Sequence, residues 1–165
     1  MTALWDIPLG KTGNPFARAA LSGWQVNVIN TMETGGTISL GASVVGGGNR
    51  PNVVPGVAAG LSHPTLSEWF NTAAFSQPAP YTYGTVSRTL PNVNAPGLLN
   101  VDFSVLRSFR IIEKYRLQFR AEAFNLNNTA AFNTPGTTLG SSTFGVVTAT
   151  RRGPRELQFA MRLDF

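Results

Sequence analysis

The chain has no cysteine and a single histidine, His63, in 165 residues. The first absence excludes a disulfide framework, a thiolate nucleophile and any cysteine-held zinc or iron–sulfur site. The second excludes paired-histidine metal sites and makes any catalytic triad hang on one residue. No cofactor and no enzymatic activity are expected. Charge is scarce as well: 13% of residues are Asp, Glu, Lys or Arg, about half the usual share of a soluble domain. No run approaches the ~20 apolar residues that a transmembrane helix needs. The start, Met1-Thr2-Ala3-Leu4-Trp5-Asp6-Ile7-Pro8, has no basic stretch followed by an apolar core, so it does not read as a signal peptide.

A mean hydropathy of +0.01 excludes both a charged disordered tract and a hydrophobic helical bundle. What is present is Gly, Thr, Asn, Val and Phe, the residues of strands and turns. The clearest signal is Glu156–Phe165. Leu157, Phe159, Met161, Leu163 and Phe165 alternate without a break against Glu156, Gln158, Ala160, Arg162 and Asp164. A period of two means a strand with one apolar and one polar face. Leu99–Ile111 alternates in the same way, with Leu99, Val101, Phe103, Val105, Phe109 and Ile111 apolar. So does Tyr115–Ala123, with Arg116, Gln118, Arg120 and Glu122 opposite Tyr115, Leu117, Phe119, Ala121 and Ala123. These two runs predict a hairpin whose turn is Ile112-Glu113-Lys114, pairing Phe109 with Leu117 and Ile111 with Tyr115. Arg107 falls among the apolar residues; a β-bulge near Leu106 or snorkelling toward a polar boundary accommodates it. Further strands are predicted at Gly23–Met32 and Met1–Ile7, joined through Pro8–Ser22. Two irregular stretches remain: 35–97, with ten of the 17 glycines and only Arg50, Glu68 and Arg88 charged, and 125–153. Within the first, Pro64–Phe70 suggests one short helix.

Net charge is +5, and nine of the 13 basic residues lie between Arg107 and Arg162. Single-strand nucleic-acid binding would need aromatic and basic residues on one face. Period two separates Phe109, Tyr115 and Phe119 from Arg110, Arg116 and Arg120, so no nucleic-acid partner is expected. The charges Asp102, Arg110, Arg116, Arg120, Glu122, Glu156 and Arg162 read instead as one polar wall, paired in ladders across neighbouring strands. His63 reads as a surface-loop residue, and Trp69 and Phe70 as anchors of a loop against the barrel rim. Asp102 and Glu122 read as charge-paired among arginines rather than as an acid/base couple. Gly46-Gly47-Gly48 is followed by Asn49-Arg50-Pro51, without the helix start that a phosphate loop requires.

Two-faced strands fit a soluble sandwich, with the apolar face inward, or an outer-membrane barrel, with the apolar face toward lipid. Strands of ten to 13 residues exceed the mean soluble length of ~5–6 and match the ~9–11 that cross a bilayer at a tilt. A tight turn at 112–114 against long loops at 35–97 and 125–153 is also the layout of such barrels, with the long loops extracellular.

Several motifs agree with this layout: Glu68-Trp69-Phe70-Asn71-Thr72-Ala73-Ala74-Phe75, Gly84-x3-Arg88, Ala95-Pro96-Gly97, Asn100-Val101-Asp102, Gln118-Phe119-Arg120-Ala121-Glu122-Ala123-Phe124-Asn125 and the terminal Leu157–Phe165 alternation. With Gly23-Trp24-Gln25 after Asp6-Ile7-Pro8-x-Gly10, and Asn49-Arg50-Pro51-Asn52, they span the chain. In this order they resemble the C-terminal end of TonB-dependent outer-membrane receptors, most closely the Oar-like kind that carries a carboxypeptidase-regulatory-like domain. The resemblance implies an all-β fold: about five C-terminal strands of an antiparallel transmembrane barrel, without plug or TonB box. It implies a role in ligand uptake at the cell outer membrane as a fragment of a longer frame or a truncated gene. Outer-membrane lipid would surround it, and contact with TonB would come only through the missing N-terminal parts. Leu157, Phe159, Met161, Leu163 and Phe165 resemble the signal read by the barrel-assembly machinery. The alternatives are a small self-contained outer-membrane barrel or adhesin, and a soluble β-sandwich binding module.

Overall fold

The computed structural model describes residues 1–7, 22–112 and 114–165. The Pro8–Ser22 connection falls almost wholly outside them, as does Glu113 in the predicted hairpin turn. The described chain divides into two compact units: residues 1–32, 99–130 and 153–165 form one, residues 33–98 and 131–152 the other.

The first unit is an antiparallel sheet. Its strands are β1 (Thr2–Ile7), β2 (Trp24–Glu33), β5 (Leu98–Ile112), β6 (Tyr115–Phe124) and β7 (Glu156–Asp164), in the spatial order β1-β2-β5-β6-β7. The intervening β3 (Asn52–Val53) and β4 (Phe75–Ser76) belong to the second unit. All five predicted strands form within a residue or two of their expected limits. Odd residues pair with odd across β5, β6 and β7: Phe103 with Ala123, Val105 with Ala121, Phe119 with Met161, Ala121 with Phe159. One face is therefore apolar across three strands, and the parity that produced it is the parity of the sequence. On β1 and β2 the same face carries Trp5 opposite Val26 and Ile7 opposite Trp24.

The hairpin departs from expectation at its tip. Phe109 does pair with Leu117, but Tyr115 pairs with Ile112 rather than Ile111. The register shifts between Arg110 and Ile112, so Ile111 is the extra residue of a bulge. A bulge beside the turn supplies the strong local twist that a tight hairpin needs. Arg107 is corrected too. Pairing runs without interruption from Phe103 to Arg110, so there is no bulge near Leu106. Nor does Arg107 snorkel to an open boundary. It lies on the apolar face, 5% exposed, with its guanidinium carbon 5.2 Å from the Trp24 ring centroid and 4.1 Å from that of Phe109. Trp24 in turn meets Phe119 edge to face at 6.3 Å. The aromatic rings that cover Arg107 offset part of its desolvation, about 0.5–2 kcal/mol per ring.

The second unit was expected to be irregular polar loop, and here the structure differs most. It has its own core of Ile38, Leu40, Phe70, Ala74, Phe75, Val86, Leu90 and Val93. Phe70 is fully buried, and its ring stacks edge to face on Phe144 at 5.2 Å and on Phe75 at 5.9 Å. Trp69 packs on this core and donates its indole N–H to the Asn94 carbonyl at 2.8 Å. Both residues were expected to anchor a loop against a barrel rim; they pack instead into a core within the second unit. No helix forms over Pro64–Phe70. Thr65 Oγ1 instead accepts from the Glu68 N–H at 3.1 Å, and the one short helix among the described residues is a 3₁₀ turn at Thr72–Ala74, capped by Asn71. Glycine is required where backbones touch: a Cβ at Gly84 would collide with the Arg50 and Pro51 carbonyls, and one at Gly35 with the Ala95 carbonyl.

Candidate functional site: the polar face of the sheet

The seven charges singled out in the sequence share the other face of the sheet. Arg110 lies opposite Arg116, Leu106 opposite Arg120, Ser104 opposite Glu122, Gln118 opposite Arg162 and Phe124 opposite Glu156. Asp102 joins them, lining the same recess as Ser104 and Glu122. The basic residues Arg110, Arg116 and Arg120 are thus segregated from Phe109 and Phe119 by strand pleat.

The expected ladders across strands are not what forms. The ion pairs that these seven charges make among the described residues run along single strands: Arg162 Nε to Asp164 Oδ1 at 2.7 Å on β7, and Arg120 to Glu122 at 3.9 Å on β6. The register accounts for most of this, because it puts Arg110 against Arg116 and leaves neutral residues opposite Arg120, Glu122 and Arg162. Asp164, which does lie opposite Arg116, pairs along its own strand with Arg162. Exposed pairs of this kind contribute at most about 1 kcal/mol. Asp102 is not charge-paired with an arginine among the described residues. Its Oδ1 accepts the Asn125 N–H at 2.9 Å, where β6 ends. Asn125 adopts φ 51°, accepts from the Thr129 N–H at 3.0 Å and donates to the Thr129 and Gly153 carbonyls at 3.1 and 3.2 Å. A short polar side chain that tolerates a left-handed backbone is what such a tie requires.

Pairing also reveals an order that parity alone does not show. Along the strands, charge is sorted. Toward the hairpin turn the face carries Arg110, Arg116, Arg120 and Arg162, with Asp164 opposite Arg116 and Asp6 opposite Gln25. Toward the other end it carries Glu122, Glu156 and Asp102. Sorting of this kind sets up a field along the strand direction rather than a patchwork of neutral pairs. Between the two halves lies a recess of about 260 Å³, lined by Leu4, Gln25, Asn27, Ser104, Leu106, Arg120 and Glu122. The Oδ1 of Asn27 is buried there with no hydrogen-bond partner among the described residues. Such a surface can hydrate and orient polar groups. Among the described residues no group of three or more His, Cys, Asp or Glu is placed to hold a metal ion. His63 is exposed and lies in the second unit.

The opposite face is the decisive observation. Phe159 and Met161 are 70% and 73% exposed, and Leu157, Leu163, Trp5 and Ile111 are exposed with them. A sheet that is polar on one side and bare hydrocarbon on the other needs an apolar medium. A family model described as an outer membrane beta barrel domain matches residues 1–158. The chain belongs to that family. No curated protein and no solved structure matches it. This outer-membrane barrel chain is all-β and antiparallel, and it is located in the outer membrane. Among its described residues no helix is long and apolar enough to cross a bilayer; barrels cross with strands.

Proposed function

We propose that this outer-membrane barrel chain is the C-terminal part of a TonB-dependent receptor of the Oar-like kind, taking up a solute across the outer membrane. The observation that carries the reading is the open five-stranded sheet. Five strands cannot close a barrel, which takes at least eight, so β1 and β7 are edges to which further strands would pair. In this reading the apolar face meets lipid. The face bearing Asp102, Arg110, Arg116, Arg120, Glu122, Glu156 and Arg162 lines the interior, and 35–97 and 125–153 are extracellular loops. The role is transport and not catalysis. Leu157, Phe159, Met161, Leu163 and Phe165 serve as the assembly signal, and TonB is reached through N-terminal parts outside this chain.

The test is an immunoblot of native outer membranes with an antibody to residues 33–98. A heat-modifiable band several times larger than 17.7 kDa is expected. A heat-modifiable band at that mass itself would overturn the receptor reading in favour of a small self-contained barrel.

A further inference from the structure

The second unit contains a cavity of about 610 Å³. Its walls are Val53, Val57, Phe75, Val86, Leu90 and Pro91, and no charged side chain lines it. Phe75, Val86 and Leu90 belong to the unit's core, so packing behind them holds this wall in place. The volume falls within the ~300–1,000 Å³ of small-molecule sites. Two hydroxyls supply the polar complement. Thr85 Oγ1 accepts the Val53 N–H at 3.0 Å, which leaves its own proton free to donate. Ser87 gives its proton to the Thr89 carbonyl, which leaves its oxygen free to accept. The flanking backbone is already committed: the Val86 N–H donates to Pro51 and the Leu90 N–H to Ile38.

We propose that this cavity binds an uncharged, largely apolar small molecule carrying one hydrogen-bond acceptor, for Thr85, and one donor, for Ser87. An ionised ligand is selected against, because nothing in the lining repays desolvation of its charge. The site does not rest on the receptor reading. It requires only that the second unit fold as it does here.

Two probes with one ring skeleton separate the outcomes: N-phenyl-1-naphthylamine, which is neutral and offers its N–H to Ser87 but no acceptor to Thr85, and 8-anilinonaphthalene-1-sulfonate, which adds a fixed negative charge. The full chain in lipid nanodiscs, with labelled Val and Leu methyls, is titrated with each. The neutral probe is expected to shift the Val57, Val86 and Leu90 methyls saturably, and the sulfonate to bind there at least about tenfold more weakly. Ser87→Asp, at an exposed position, should weaken the neutral probe by a similar factor. Gly60→Leu tests the volume independently. Gly60 is one of the lining residues, and a Cβ there meets only the Asn92 carbonyl at 3.5 Å and Val93 Cγ2 at 4.0 Å, so a larger side chain is added at the wall without a backbone clash. Equal binding of the sulfonate would overturn the proposal. So would wild-type affinity in both variants, or shifts confined to the methyls of Val26 and Val105 on the sheet.

Discussion

Replacing Phe159 by Arg places a guanidinium near the centre of β7 on the apolar face, three residues from Glu156 and five from Asp164. An apolar band of ~25 Å, crossed at a tilt of about 40° with ~3.4 Å per residue, takes about ten residues of strand. Glu156–Asp164 is nine, so Phe159 lies close to the midplane. There an arginine on the lipid face costs about 2–4 kcal/mol, against about 0–1 near an interface. At 1.36 kcal/mol per decade, that is a roughly 30- to 1,000-fold loss in the folding equilibrium. Gln158→Arg is the matched control. It lies one residue away at nearly the same depth, on the face where Glu122 is its cross-strand neighbour. It should cost less than about 0.5 kcal/mol and can gain from the opposed charge. The assay is urea titration of folding into phospholipid vesicles for wild type and both variants of the intact protein. If Gln158→Arg were the costlier change, or if both were neutral, the assignment of the two faces would be refuted.

Phe70→Ala removes the centre of the aromatic cluster in the second unit and should cost about 3–5 kcal/mol, most of it confined to that unit. Limited proteolysis should then cut within 33–98 while the β signature of the sheet persists. Asn125→Ala should destabilise the end of β6 by about 1–2 kcal/mol more than Asn125→Gly, because both lose the Thr129 and Gly153 bonds but only alanine strains at φ 51°. Hydrogen exchange at Ala123 and Phe124 reads the difference. Phe165→Asp should lower the yield of heat-modifiable protein in the outer membrane in vivo, with folding into vesicles in vitro little changed.

β5, β6 and β7 were legible because each buries or exposes a whole face at once, so hydrophobicity follows the backbone period. β1 is short, with Leu4 and Trp5 on opposite faces, and Ile29 blurs the pattern of β2. The terminal run Leu157–Leu163 is the plainest case, and the register of β6 and β7 preserves its parity. The bulge at Ile111 was not legible, since a register shift of one residue beside the turn leaves the parity of the rest of the hairpin unchanged. The core of the second unit was hidden for a different reason. Ile38, Phe70, Val86 and Leu90 meet through irregular backbone, so their spacing follows neither 2 nor 3.6. Pro64–Phe70 misled because the Thr65 hydroxyl offers the backbone a local alternative to a helix. The polar wall was legible residue by residue, but its sorting into basic and acidic halves depends on which residues lie side by side. The cavity above Val57 and Val86 had no signal in the sequence at all.

The chain's lack of cysteine makes one measurement unusually clean. Single cysteines introduced in turn from Glu156 to Asp164, spin-labelled in the intact protein in vesicles, report relative access to oxygen from lipid and to a nickel chelate from water. Labels at 157, 159, 161 and 163 should favour oxygen and those at 156, 158, 160, 162 and 164 the chelate, in strict alternation. A profile without that alternation, or one in which the odd positions are shielded from both reagents as in a protein core, would contradict the placement of the apolar face against lipid.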